Sequence, residues 1–218
     1  MTFAAISERC TEKQLDLFFP GADIEWILLK DVPTPRALTG VTAWLDLDFT
    51  AEPQRCHSLA RLLPDLVFVS AVVPTITEIG YPFVRMNGWQ GWQEMAVHEL
   101  VSPNEATSAR ITELYGRLGH AFRLVPDTPG MIVPRILAAI INEAWYTWEA
   151  KVSTKEEIDT AMRLGTNYPF GPFEWGERIG IDAIVSLLLS LSNSDPRYSP
   201  CNALMSAATE AQHGERHR

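Results

Sequence analysis

The sequence predicts an α/β segment followed by an all-α segment. Candidate strands and helices alternate through residues 1 to 125, as in a sheet layered with helices. Leu66 to Val73 (LVFVSAVV) is an unbroken apolar run, the mark of a strand buried on both faces. From Val133 on, apolar residues at Ile136, Leu137, Ile140, Ile141, Ala144, Trp145 and Trp148 give one helical stripe.

In order, residues 11 to 19 (TEKQLDLFF) read as a short helix ended by Pro20-Gly21. Asp23 to Leu29 and Val41 to Leu47 are candidate strands, and the intervening KDVPTPRALTG favours a loop. Ala51 to Leu63 reads as a helix with Leu59, Leu62 and Leu63 on one face. Met95 to Val101 and Ala121 to Val125 are further strands, flanking a helix from Asn104 to Leu118 with Asn104 or Ser102 near its cap. Pro129-Gly130 sets the start of the long helix 131–150. Ser153 with Glu156 reads as a capping box for a second helix with an acidic first turn. Asn167 to Pro172 is a rigid turn, and Pro172 opens a third helix running to about Leu191. Trp175 is expected to pack near Trp145 and Trp148. Tyr146, Thr147 and the Ala138-Ala139 pair offer a second, shallower contact face.

Composition bounds the function. The chain is 46% hydrophobic and 21% charged, with no tract long enough to span a membrane. A formal net charge of −9 argues against nucleic acid or an anionic membrane as a partner. Cys10, Cys56 and Cys201 are odd in number and widely spaced, giving neither a disulfide framework nor a CxxC metal site. The opening MTFAAISERCTEKQ lacks the features of a signal peptide, and a cytoplasmic location is expected. His213 and His217 have i,i+4 spacing in a tail with no scaffold to complete a metal site, so no metal is expected.

The blocks DTPGMIVPRIL, NEAW, EEIDTAMRLGTNYPFGPFEWGERIGID and DPRY resemble the helical C-terminal domain of the 3-hydroxyacyl-CoA dehydrogenases. The resemblance extends from about Phe68 to Tyr198 and is strongest from Asp127 to Asp182. It implies a shortened, degenerate Rossmann-like sheet domain over residues 1–126. A helical domain of the 6-phosphogluconate-dehydrogenase C-terminal type would follow over 127–200, and then a helix or flexible tail over 201–218. It also implies a homodimer through the helical domain and an acyl-CoA-type ligand.

A Rossmann site needs a GxGxxG turn after its first strand. Ahead of Gly88 this chain has only Gly21, Gly40 and Gly80, so no GxG occurs there. Only 65 residues precede the strand matching Leu66 to Val73, fewer than the family places there. No cofactor is therefore expected.

The family's catalytic positions are met by residues that lack the chemistry. With Ile76 to Gly80 and Met95 to Val101 aligned to their blocks, Asn87 falls at the catalytic histidine and Glu99 at its carboxylate partner. An amide cannot take a proton near neutral pH. Val72 stands at the catalytic serine, and Pro134 at an asparagine that touches the reacting centre. Asn167 is kept in its turn, where Tyr168 replaces a histidine.

His98 would face away from Glu99 on a strand and reads as a structural histidine. His57 and His120 read as surface residues, and Cys56 lacks a visible base. The run Asn87-Gly88-Trp89-Gln90-Gly91-Trp92 either fills the cleft with indoles or forms a stacking platform, with Arg85 the nearest cation. Ligand-cleft candidates are thus Glu99, Asn87, Trp89, Trp92, Asn167 and Arg85.

The expected function is that of a 3-hydroxyacyl-CoA dehydrogenase-like protein without dehydrogenase activity. The alternative is an active NAD-dependent enzyme of fatty acid metabolism, with altered site residues or a cofactor domain supplied by a partner.

Overall fold

A computed structural model describes residues 1–34, 38–89, 91 and 96–215. The chain divides into two compact units, Met1–Met131 and Ile132–Arg218.

The first unit is built on a seven-stranded sheet. Its strands are β1 (Thr2–Ile6), β2 (Glu25–Leu29), β3 (Ala43–Asp46), β4 (Leu66–Ser70), β5 (Val84–Met86), β6 (Val97–Val101) and β7 (Ala121–Leu124). The spatial order is β2-β1-β3-β4-β5-β6-β7. From β2 to β5 all neighbours are parallel; β6 turns antiparallel to β5, and β7 runs parallel to β6. The chain leaves β1 for β2 on one side and returns to β3 on the other, so the topological switch point lies between β1 and β3. One strand fewer lies on the β2 side than in the 3-2-1-4-5-6 order.

Alternation along the strands divides the core between the two sheet faces. Phe3, Ala5, Leu45, Phe68, Met86 and Leu100 meet Phe18, Phe19 and α4 (Glu105–Leu118) on one face. Ala4, Ile6, Trp44, Val67, Val69 and Phe83 meet α2 (Pro53–Ala60, with Cys56 and Leu59) on the other, with Ile79 of a one-turn helix (Ile76–Ile79). Asn104 caps α4, its side chain accepting from Thr107 N at 2.9 Å. Strand β1 is absent from the sequence reading, because TFAAI is short and alanine-rich. It is nevertheless central, buried from Phe3 to Ile6.

The second unit is helical, with α5 (Val133–Glu149), α6 (Lys155–Thr166), α7 (Pro172–Ile179), α8 (Ile181–Ser192) and α9 (Asn202–Glu215). Helix α5 contacts each of the others. Three sequence expectations are corrected here. The third helix breaks at Gly180, whose φ of 98° ends α7 and turns the chain into α8. The capping box on α6 is Thr154 with Glu157, one residue later than expected. The buried face of α5 keeps Leu137, Ile141, Ala144 and Trp145 of the expected stripe and adds Ala138 and Asn142, while Ile136 stays 53% exposed. The shift has a physical reason: the Asn142 amide donates to Ser199 O and accepts from Cys201 N, both at 2.9 Å, which draws that side of α5 inward. Trp145 meets Phe173 and Trp148, and Phe170 packs edge-on against Trp175.

Candidate functional site

Strand β5 positions the first candidates. Antiparallel pairing sets Arg85 opposite Val101 and Met86 opposite Leu100. One step further in the same register puts Asn87 opposite Glu99, on one face of the sheet. Both are buried. The Asn87 side-chain carbonyl accepts from Trp89 N at 3.1 Å, and its Nδ2 has no hydrogen-bond partner among the described residues. Trp89 is also buried; Trp92 lies outside the described residues. Gly88 is required where it stands, because a Cβ there would lie 2.0 Å from Ser70 Oγ.

Arg85 shares that face but is consumed by structure. It is fully buried, with Nε donating to Ala71 O at 3.0 Å and Nη2 to Val72 O at 3.1 Å. Nη1 pairs with the carboxylate of Asp127. Asp127 also accepts from Ile76 N at 2.9 Å. Arg85 thereby ties the end of β4 to the first turn of the Ile76–Ile79 helix and to the segment leaving β7. Burial pulls its pKa down, and Asp127 opposes that pull by favouring the charged form. Val72 lies at this junction, its carbonyl also accepting from Gly130 N at 2.8 Å. Asp127 escaped the sequence reading, since its partner is 42 residues away and no spacing rule connects them.

In the second unit, Pro134 is buried in the first turn of α5. Asn167 is the exposed left-handed C-cap of α6, with φ 55°. Its conformation alone explains an asparagine there.

His98 faces the opposite side of the sheet from Glu99. It is buried against Phe18, Phe19 and Tyr115, with Nδ1 3.0 Å from the Tyr115 hydroxyl. Burial, with a smaller contribution from His120, pushes its pKa down to about 3. His120 was expected at the surface, but its ring centroid lies 4.2 Å from that of His98. His57 is exposed, and burial raises the pKa of the Cys56 thiol, so neither is poised for chemistry.

A dinucleotide can be tested against the turn after β1, where Rossmann-type sheets place a pyrophosphate against backbone N–H groups. Glu8 N donates to Asp48 Oδ2 at 2.7 Å. Arg9 N and Cys10 N donate to Ser7 Oγ at 3.1 and 3.0 Å, and Thr11 N to Gln14 Oε1 at 2.9 Å. The four amides of this turn are thus satisfied by the chain's own side chains. No glycine stands in it, and the helix that follows (Glu12–Leu15) is only four residues long. These residues do not fit NAD. Among the described residues no group of three His, Cys, Asp or Glu could hold a metal ion. No helix there is long and apolar enough to cross a membrane.

A Rossmann-like sheet with an antiparallel extension, followed by a helical unit, defines the class of the two-domain hydroxyacyl-CoA dehydrogenase fold. Residues 130–218 match the family model for the 3-hydroxyacyl-CoA dehydrogenase C-terminal domain.

Among its relatives is the 3-hydroxyadipyl-CoA dehydrogenase of Escherichia coli (strain K12). It is 41% identical over 110 residues, which are 50% of this chain and 23% of that protein. The 3-hydroxybutyryl-CoA dehydrogenase of Bradyrhizobium diazoefficiens is 37% identical over 107 residues, or 48% of this chain and 36% of that one. The matches therefore span only about a quarter to a third of these relatives. The solved (S)-3-hydroxybutyryl-CoA dehydrogenase PaaH1 from Ralstonia eutropha superposes with a TM-score of 0.76, covering 96% of this chain and 94% of that one. At 18% identity, that likeness is one of fold.

Proposed function

We propose that this chain is a cytoplasmic 3-hydroxyacyl-CoA dehydrogenase relative without hydride-transfer activity. Its helical unit serves homodimerisation and the binding of an acyl-CoA-type ligand. The observation that carries the reading is the β5–β6 register, Arg85 opposite Val101 and Met86 opposite Leu100, which continued by one residue sets the buried Asn87 against the buried Glu99. The family resemblance puts an imidazole at Asn87, held and charge-balanced by the carboxylate at Glu99. The imidazole of a proton-transfer pair titrates near neutrality, and an amide does not. Asn87 therefore supplies no base for proton transfer, and neither Val72 nor Pro134 supplies a side-chain hydrogen bond to replace what the family keeps there. The filled turn after β1 supports the same reading from the cofactor side.

Two measurements on the full chain test it. Incubation with acetoacetyl-CoA and NADH should leave NADH absorbance unchanged at high protein concentration. Thermal shift should respond to CoA or acetyl-CoA and not to NADH. Steady NADH consumption would contradict the loss of hydride transfer. Silence toward every CoA compound would contradict the ligand-binding part and leave a dimerising scaffold.

A further inference from the structure

The turn after β1 lacks glycine, but it also holds an anion of its own. Asp48 follows β3, across the switch point from β1, and its Oδ2 accepts from both Glu8 N (2.7 Å) and Ser7 Oγ (3.0 Å). Ser7 Oγ in turn receives Arg9 N and Cys10 N. Two residues before Asp48, the fully buried Asp46 accepts from Arg55 Nε at 2.7 Å and Nη2 at 2.6 Å. The carboxyl ends of β1 and β3 are therefore strapped together where an open sheet of this topology normally keeps a ligand crevice.

We propose that Asp48 is a built-in closure of the dinucleotide position, its carboxylate occupying the anion position of the β1 turn. A charge-assisted bond from a backbone amide is among the stronger neutral-pH contacts. An incoming pyrophosphate would have to displace that carboxylate and then sit beside its negative charge. The closure explains why a chain with no glycine in this turn still keeps the turn's geometry: the carboxylate and the Ser7 hydroxyl satisfy amides that a ligand would otherwise meet. It concerns only the cofactor position and is independent of the Asn87–Glu99 pair.

The test is backbone-amide NMR on the full chain, following Glu8, Arg9 and Cys10 while NADH or inorganic diphosphate is added. In the wild-type protein neither should move these signals, and the Glu8 amide should exchange slowly with solvent. In Asp48→Ala, Glu8 should exchange about ten- to a hundredfold faster, the factor set by one lost charge-assisted bond. Diphosphate should then shift the Glu8 signal and slow its exchange. In Asp48→Asn the amide oxygen keeps an acceptor in place, and the response to diphosphate should be absent.

Diphosphate or NADH shifting these signals in the wild type would overturn the proposal. So would an Asp48→Ala protein, folded by its remaining amide signals, that ignores diphosphate. Should that variant not fold, unprotected exchange of Glu8 in the wild type overturns the proposal and protected exchange upholds it. NADH binding without turnover would sink the closure and leave the loss of hydride transfer standing.

Discussion

A guanidinium removed from water must meet acceptors on every side, and Arg85 does so with three backbone carbonyls and Asp127. Removing the carboxylate strands a buried charge. Asp127→Ala should cost roughly 2–4 kcal/mol in urea denaturation, somewhat less than the roughly 3–5 kcal/mol of a fully buried pair because Asp127 is 28% exposed. His98 makes a second prediction. Its folded-state pKa lies near 3, below the unfolded value of about 6.5, so the unfolded chain binds the extra proton more readily. Its contribution is present above about pH 6.5 and is lost as pH falls toward 3. Urea midpoints should therefore drop between pH 7 and pH 4.5, and His98→Gln should flatten that drop. An equal slope in both proteins would contradict a buried neutral imidazole. The character of both residues was partly legible beforehand. Strand alternation put His98 opposite Glu99, but the ring of His120 beside it comes from a turn whose folding no local pattern announces.

Elements were legible where one rule dominated and illegible where tertiary contacts chose between rules. The unbroken run of β4 and the capped periodicity of α4 survive unchanged in kind. Strand β1 was missed because its central position, not its composition, makes it a strand. Helix α5 was found from its period but assigned the wrong buried edge, since the stripe rule cannot foresee that Asn142 is drawn inward by backbone groups of the segment before α9. The start of α7 depends on a similar long-range contact. Asp159 accepts from Phe173 N at 2.8 Å and Glu174 N at 3.1 Å, capping α7 from α6. Asp159→Ala should lower stability by about 1–2 kcal/mol, as for a lost N-cap. Gly171→Ala should be worse, because a Cβ there would lie 2.3 Å from the Asp159 carboxyl carbon. Thermal melts of the two variants check the order.

At the scale of the whole molecule, the proposed reading keeps the family's architecture and gives up its chemistry. The family model matches residues 130–218, while on the proposed reading the residues at the catalytic positions of the sheet unit and the turn after β1 have changed character. Ile132, at the N-cap of α5, and Ile136 in its first turns are about half exposed and four residues apart. Exposed apolar residues at this spacing on a helix that also packs a core fit the proposed homodimer. Ile136→Glu should shift sedimentation velocity from dimer to monomer without changing helicity; a monomeric wild-type protein would contradict the assembly.

The proposed loss of hydride transfer has a more direct test. The full chain is mixed with acetoacetyl-CoA and NADH at stoichiometric protein, and NADH absorbance is followed through a single turnover, alongside Glu99→Ala and Asn87→His. Flat traces are expected for all three, because returning the imidazole at position 87 does not open the cofactor turn. NADH oxidation by the wild-type protein that disappears in Glu99→Ala would contradict it.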